Sequence, residues 1–296
     1  MTENYDEENP GRVVVGVDRS ESSAHAAQWA AREAAARGVP LTVVHALHLP
    51  TDAALPLEPP RYAEKQREEG GKLVRLVARN LAADFPGLEI GTEVSDLTAA
   101  HTLSALGLES ALVVTGTRGH GGFAGMLLGS VSRRLAAHTH CPLVVVRGQE
   151  SGIALDEVVL GVEPGQHDEP IRYAFEAAQR YGAVLHAVRA WHPHATYEGP
   201  MGTNFTNLAE VRDQERRSVE NLLAPFSTAY PSVKVEVTAQ RGNPVPVLIE
   251  TARDTRLLVV GAHRHRGPLS VGAGYVVDGL LAHSPTPVAV VPTHTR

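Results

Sequence analysis

The sequence predicts an α/β protein built as two tandem three-layer domains, each a parallel five-stranded sheet with helices on both faces. Three observations carry this expectation. The chain repeats itself at an offset of 145 residues, which carries Val13-Val14-Val15-Gly16-Val17-Asp18 onto Val158-Val159-Leu160-Gly161-Val162-Glu163 and Pro142-Leu143-Val144-Val145-Val146 onto Pro287-Val288-Ala289-Val290-Val291. Within each unit, short apolar runs alternate with longer helical patterns, as in a parallel sheet with crossover helices. The runs are apolar throughout, which is the mark of strands buried on both faces.

The elements follow in order. Val13 to Val17 reads as the first strand. Ser20, Ser22 and Ser23 can cap a helix that carries the Ala-rich stretch Ala24 to Arg37 and ends at Gly38. Leu41 to Leu47 is the second strand. A Pro-rich excursion from Pro50 to Pro60 leads into a long amphipathic segment, about Arg61 to Ala83, whose charge reads as an exposed helix face. A short run near Ile90, a helix from about Thr98 to Leu106 and the strand Ala111 to Thr115 come next. A glycine-rich loop, a helix from Ser130 and the final run Leu143 to Val146 complete the unit. In the second unit Leu257, Val259 and Val260 match Leu112-Val113-Val114 in kind, and Gly261, Gly267 and Gly274 fall on Gly116, Gly122 and Gly129. A one-residue gap in the first helix brings "RGVPLTVVHAL" onto "YGAVLHAVRAW". A period this long marks a duplicated domain and not a solenoid repeat. Domains of residues 1–150 and 151–296 are expected, joined at a polar, Gly-bearing seam around Gly148 to Glu157.

Composition narrows the function. With 296 residues, 43% hydrophobic, the chain has material for two cores, and a net charge of -6 argues against nucleic acid or an anionic membrane as partner. Runs such as "ALVV" and "PLVVV" are too short to cross a bilayer. Cys141 is the one cysteine, so no intrachain disulfide forms. The start "MTENYDEENPGR" lacks the charged-then-apolar pattern of a signal peptide. A soluble cytoplasmic protein is the expectation.

The stretch from Gly116 to Ser132, "GTRGHGGFAGMLLGSVS", is where chemistry is expected. Ligands of open parallel sheets sit beyond the carboxyl ends of the strands, and this loop leaves such an end at Thr115. Glycines admit an anion close to backbone N–H groups, and a helix starting near Ser130 offers unpaired N–H groups and a positive dipole end. Ser130 and Ser132 add hydroxyls and Arg118 a fixed charge. Asp18 ends the first strand on the same rim, where its carboxylate can accept from ribose hydroxyls or an adenine amino group. Ala46 is small enough to leave room for a base. The loop is neither a P-loop, since no Gly-Lys-Ser/Thr follows, nor the dinucleotide fingerprint, whose spacing differs.

The full spacing is Gly116, two residues, Gly119, nine residues, Gly129-Ser130, with an apolar strand before it and "CPLVVV" after. It closely resembles the nucleotide-binding signature of the universal stress protein family, and the opening "VVVGVDRSESS" resembles that family's first strand and turn. The resemblance spans nearly the whole chain as two tandem domains. It implies an ATP site, with Mg²⁺, in the first domain. Asp18 and Ala46 match the positions that hold adenine and ribose. Thr115, Gly116, Arg118 and Gly119 match the loop over ribose and phosphates, and Gly129, Ser130, Val131 and Ser132 the phosphate-binding turn. One departure is Leu97, which stands where the second unit has Gly242 and the family often has glycine. In the second unit Glu163 replaces Asp18, Arg264 replaces Gly119, Tyr275 replaces Ser130 and Val277 replaces Ser132. The run His263-Arg264-His265-Arg266 would still attract phosphate, so a weak or altered site is expected there.

Plainer readings stand beside these. The loop could be a structural turn, and Asp18 alone a capping residue. His192 with His194, and His263 with His265, lack carboxylate or cysteine company at ligand spacing, and read as solvated loop residues. Cys141, just before Pro142, reads as a buried structural thiol. Neither a paired nucleophile and base, nor a metal cluster, nor a Walker lysine is found, so no catalytic residue is assigned. The expectation is an ATP-binding stress-response regulator; a weak Mg²⁺-dependent ATPase and a non-nucleotide interaction module are the alternatives. The final strands of the two units are expected at sheet edges, where an uncovered apolar edge is expected to be paired. The resemblance to the family, in which this edge is the dimer contact, implies that the two halves pair with each other about a pseudo-twofold axis. A homodimer of chains and an unidentified protein partner complete the expectation.

Overall fold

The computed structural model describes residues 11–47, 60–117, 119, 128–147, 155–192, 208–263 and 273–293. The first half runs β1 (Arg12–Gly16), α1 (Glu21–Arg37), β2 (Leu41–Ala46), α2 (Pro60–Asp84), β3 (Ile90–Ser95), α3 (Ala99–Leu106), β4 (Ser110–Gly116), α4 (Ser130–His138) and β5 (Leu143–Val146). The second runs β6 (Leu155–Gly161), α5 (Asp168–Tyr181), β7 (Val184–Trp191), α6 (Leu208–Ala229), β8 (Val235–Arg241), α7 (Pro244–Thr251), β9 (Thr255–His263), α8 (Tyr275–His283) and β10 (Val288–Thr293). Local signals set several of these ends. Ser20 caps α1 by accepting from the Ser23 N–H, and Gly38, at φ +68°, closes it by donating to Ala34 and Ala35. Asn243 caps α7 by accepting from Val245 N–H.

These strands form one ten-stranded sheet in the order β3-β2-β1-β4-β5-β10-β9-β6-β7-β8. Pairing is parallel within each half, and β5 meets β10 antiparallel. The expected union of the two final strands is therefore present. Its register is informative: Ala289 pairs with Val144, its own counterpart under the 145-residue offset, so the pseudo-twofold axis passes through that pair. Each face of the sheet then carries one core shared by both halves. Helices α1, α2, α5 and α6 cover one face, with Val15, Trp29, Phe175, Val219 and Val291 in its core. Helices α3, α4, α7 and α8 cover the other, with Val14, Leu135, Leu248, Leu280 and Val290. Cys141 is buried in this second core, and burial pushes its thiol above the usual value, as a structural thiol should behave.

A charged network ties α1 to α5 across the halves. Glu33, 2% exposed, accepts from Arg37 Nε at 2.6 Å and from the Tyr181 hydroxyl through its other oxygen. Arg180 Nη2 lies 3.0 Å from Glu33 Oε1 as a close ionic contact without hydrogen-bond alignment. Arg37 also donates to the Tyr173 hydroxyl at 3.3 Å. Arg147, just past β5, donates to the carbonyls of Leu281 and Ala282 near the end of α8, a second polar tie between halves.

Two predictions follow from the network. Glu33→Ala leaves two largely buried arginines without their carboxylate and is expected to cost about 3–5 kcal/mol in denaturant unfolding of the full chain. Burial pushes the Tyr173 phenol from its ordinary 10.0 up to about 12, and burial with the Glu33 charge raises Tyr181 well above 10.0. The unfolded chain releases these protons first, so their contribution to stability is complete below pH 10 and declines as pH rises through about 12. Phenolate absorbance, followed together with circular dichroism, should show the two rings ionising only as the fold is lost.

Candidate functional site

The strand order of the first half reverses direction between β1 and β4, and the rim at their carboxyl ends is where a ligand crevice opens in such sheets. The β1 end is a compact knot. Asp18 Oδ1 accepts from Ser20 N–H at 2.9 Å and from the Ser20 hydroxyl, while Ser23 Oγ accepts from Asp18 N–H and has the carbonyls of Asp18 and Ser20 as acceptors for its one proton. Asp18 is thus the turn residue of the plainer reading, yet its other oxygen is aimed at the loop. A Cβ built on Gly119 would lie 2.5 Å from Oδ2. Gly119 is glycine because the loop backbone rests on the Asp18 carboxylate.

At the β4 end, Gly116 is pressed against α1. A Cβ there would sit 2.8 Å from the carbonyl carbon and oxygen of Ser22, too close for any side chain. Ser22 Oγ and Thr117 Oγ1 lie 3.4 Å apart in a hydrogen bond across the same contact. On the opposite face of the sheet, Ser132 Oγ donates to the Gly116 carbonyl at 2.8 Å and stands 3.2 Å from Thr115 Oγ1. Gly129 N–H donates to the Thr117 carbonyl at 2.7 Å, which brings the end of the loop back to its beginning.

Helix α4 starts from this closure. Its cap, Gly129, supplies no side-chain bond, its first turn holds no acidic residue, and its first backbone bond runs from Arg133 N–H to Gly129. The N–H groups of Ser130, Val131 and Ser132 therefore precede the helical ladder as the unpaired donors of a helix start. The Ser130 side chain is exposed, the Val131 side chain packs on the core, and Arg133 and Arg134 follow on the exposed side. Dipole, free amides and cations together favour an anion. Ala46 ends β2, half-buried on the adjacent strand end, and shares the rim through the β1–β2 pairing. Arg118 lies outside the described residues. Ser22, Thr117 and Arg133 were not assigned from sequence. The Ser22 and Thr117 contact joins residues 95 apart and had no local signal, whereas Arg133, one residue past the serines, was legible.

The second half presents a different rim. Glu163 N–H donates to Gln166 Oε1, and the turn passes through Gly165 at φ +69° without a side-chain cap on α5. Pro170 packs where Ser22 does in the first half: a Cβ on Gly261 would lie 3.0 Å from its ring. Tyr275 is 71% exposed with its hydroxyl 3.3 Å from Asn243 Nδ2, and Val277 is buried in the core. Asp278 stands in the first turn of α8 at the counterpart of Arg133, a reversal of charge, and Asp168 and Glu169 occupy the first turn of α5. Arg264, the expected replacement of Gly119, lies outside the described residues, as do His194 and His265. The Leu97 departure is visible: its N–H turns to Ser95 Oγ and the neighbouring Asp96 pairs with Arg67, whereas Gly242 N–H bonds the Trp191 carbonyl. Among the described residues no group of three His, Cys, Asp or Glu side chains could hold a metal, and no helix is long and apolar enough to cross a membrane.

Comparison with known proteins places this geometry. The family model described as the universal stress protein family matches twice, over residues 10–147 and 155–292. Universal stress protein Rv2005c of Mycobacterium tuberculosis is 32% identical over 286 residues, covering 94% of this chain and 96% of that protein. Universal stress protein Rv2623 of the same organism is 30% identical over 289 residues, covering 94% and 95%. Among solved structures, a universal stress protein from Archaeoglobus fulgidus DSM 4304 superposes with a TM-score of 0.68 at 18% identity, covering 96% of each chain, which speaks to the fold. With the family's domain matched in each half and relatives aligned along nearly its full length, the chain belongs to the universal stress protein family as a tandem two-domain member.

Proposed function

We propose that the first half of this chain binds ATP, carried with Mg²⁺, and that the protein is a cytoplasmic stress-response regulator whose nucleotide occupancy is read by other proteins. The carrying observation is the start of α4: three amides ahead of the helical ladder, a glycine cap, no acidic residue in the first turn and two arginines behind it. A polyphosphate is the anion that such a helix start suits. Asp18, on the same rim, offers the carboxylate that a ribose or an adenine amino group would engage, and Ala46 offers room for the base. Mg²⁺ would arrive on the phosphates, which with water supply most of its ligands in sites of this kind. Family membership supports the stress-response part of the reading.

The same features favour binding over turnover. They supply donors and charge for holding phosphates, and no side chain is assigned to position an attacking water. The second half, with carboxylates at two helix starts and Tyr275 in place of Ser130, is a weakened site in this account. A homodimer, formed through a surface other than the β5–β10 seam, completes the reading.

Calorimetric titration of the full chain with ATP and Mg²⁺ tests this. One site per chain is expected, abolished by Gly129→Glu, which puts a carboxylate at the phosphate turn. Two sites would restore the second half as a nucleotide binder, and no binding by the folded protein would overturn the reading.

A further inference from the structure

We propose that Ser132 is a positioning residue of the nucleotide site, which aims the first turn of α4 and does not itself touch phosphate. The ligand in this proposal rests on the nucleotide reading above; the geometry does not. Ser132 is 2% exposed and its hydroxyl proton is committed to the Gly116 carbonyl at 2.8 Å. With that proton used, the 3.2 Å contact is one in which Thr115, itself 4% exposed, donates to Ser132. A serine hydroxyl has one proton, so Ser132 has none left to give a phosphate oxygen. Ser130, with an exposed side chain, keeps that capacity.

What the bond does is set by what surrounds it. From one face of the sheet α1 abuts Gly116 with no room for a side chain, and from the other Ser132 holds the same residue's carbonyl. Together with the bond from Gly129 N–H to the Thr117 carbonyl, this makes a two-point clip between the end of β4 and the start of α4. Core packing of Leu135 and Ala136 holds the body of the helix, and the two bonds fix the direction of its leading amides. Donors held in place before the ligand arrives avoid the cost of ordering them on binding. At the counterpart position Val277 is buried by apolar packing and has no hydroxyl to make this bond, and the cap Gly274 stands at φ +104° where Gly129 is at φ -69°, so the second half enters its helix differently and without this bond.

The test compares Ser132→Ala, Ser132→Thr and Ser130→Ala in the full chain by two readouts: amide exchange at Gly129 and Arg133 without nucleotide, and calorimetric affinity for ATP with Mg²⁺. Ser132→Ala is expected to speed exchange at both amides about tenfold and weaken ATP by a similar factor. Ser132→Thr restores both, because it returns the donor. Ser130→Ala should weaken ATP while leaving exchange as in the parent. If Ser132→Ala weakened ATP with exchange unchanged, Ser132 would be a direct ligand and the proposal would fail. It would fail equally if exchange rose while affinity held. A parent protein that bound no ATP would overturn the nucleotide reading, and the exchange pattern would still decide separately whether Ser132 aims the helix.

Discussion

The antiparallel pairing of β5 with β10 is the constraint on which the rest of the molecule depends. Each half, taken alone, would end its sheet in an almost wholly apolar strand, Leu143–Val146 or Val288–Thr293, with a row of unmet backbone donors and acceptors. Joining them meets those groups and makes each face a single core to which both halves contribute. It also moves the open edges outward to β3 and β8. Those strands carry exposed residues such as Gly91, Thr92, Glu236 and Gln240, a pattern that discourages further strand addition. The Glu33 network lies across the same join. A carboxylate 2% exposed and held by residues from both halves makes their relative placement specific in a way that apolar packing alone would not.

On this nearly symmetric frame the two rims have diverged by small exchanges. Ser22 has its spatial counterpart in Pro170, Ser130 in Tyr275, Ser132 in Val277 and Arg133 in Asp278. All of them sit on helix starts beyond the last residues of the strands, so the exchanges leave the strand pairing of the sheet in place, although Ser132, Val277 and Pro170 are buried. That separation lets one copy keep an anion-favouring helix start while its partner acquires carboxylates at two helix starts. The second copy covers the first one's open edge through the β5–β10 pairing.

Much of this was legible in the sequence because it is written locally. The apolar runs, the Ser20 cap and the Gly38 stop each state their role within a few residues, the 145-residue offset revealed the duplication, and the apolar final runs, with the family resemblance, pointed to the pairing of the last strands. What escaped was long-range. Glu33 looks like an ordinary helix-surface acid paired with Arg37 one turn on, and its other partners, Arg180 and Tyr181, lie on a helix nearly 150 residues away. Ser132 carries the same hydroxyl as Ser130, and only the folded register shows one spent on Gly116 and the other exposed. Gly116 was read as making room for a ligand, whereas the atoms it makes room for belong to Ser22.

The most direct test of the account is a crystal structure of the full chain grown with ATP and Mg²⁺. The account predicts nucleotide in the first half alone, its phosphates on the amides of Ser130 to Ser132 and its base beside Ala46, with the Ser132–Gly116 bond intact. Nucleotide ordered at the α8 start beside Tyr275 and Asp278, or an empty first half at saturating ATP, would contradict it.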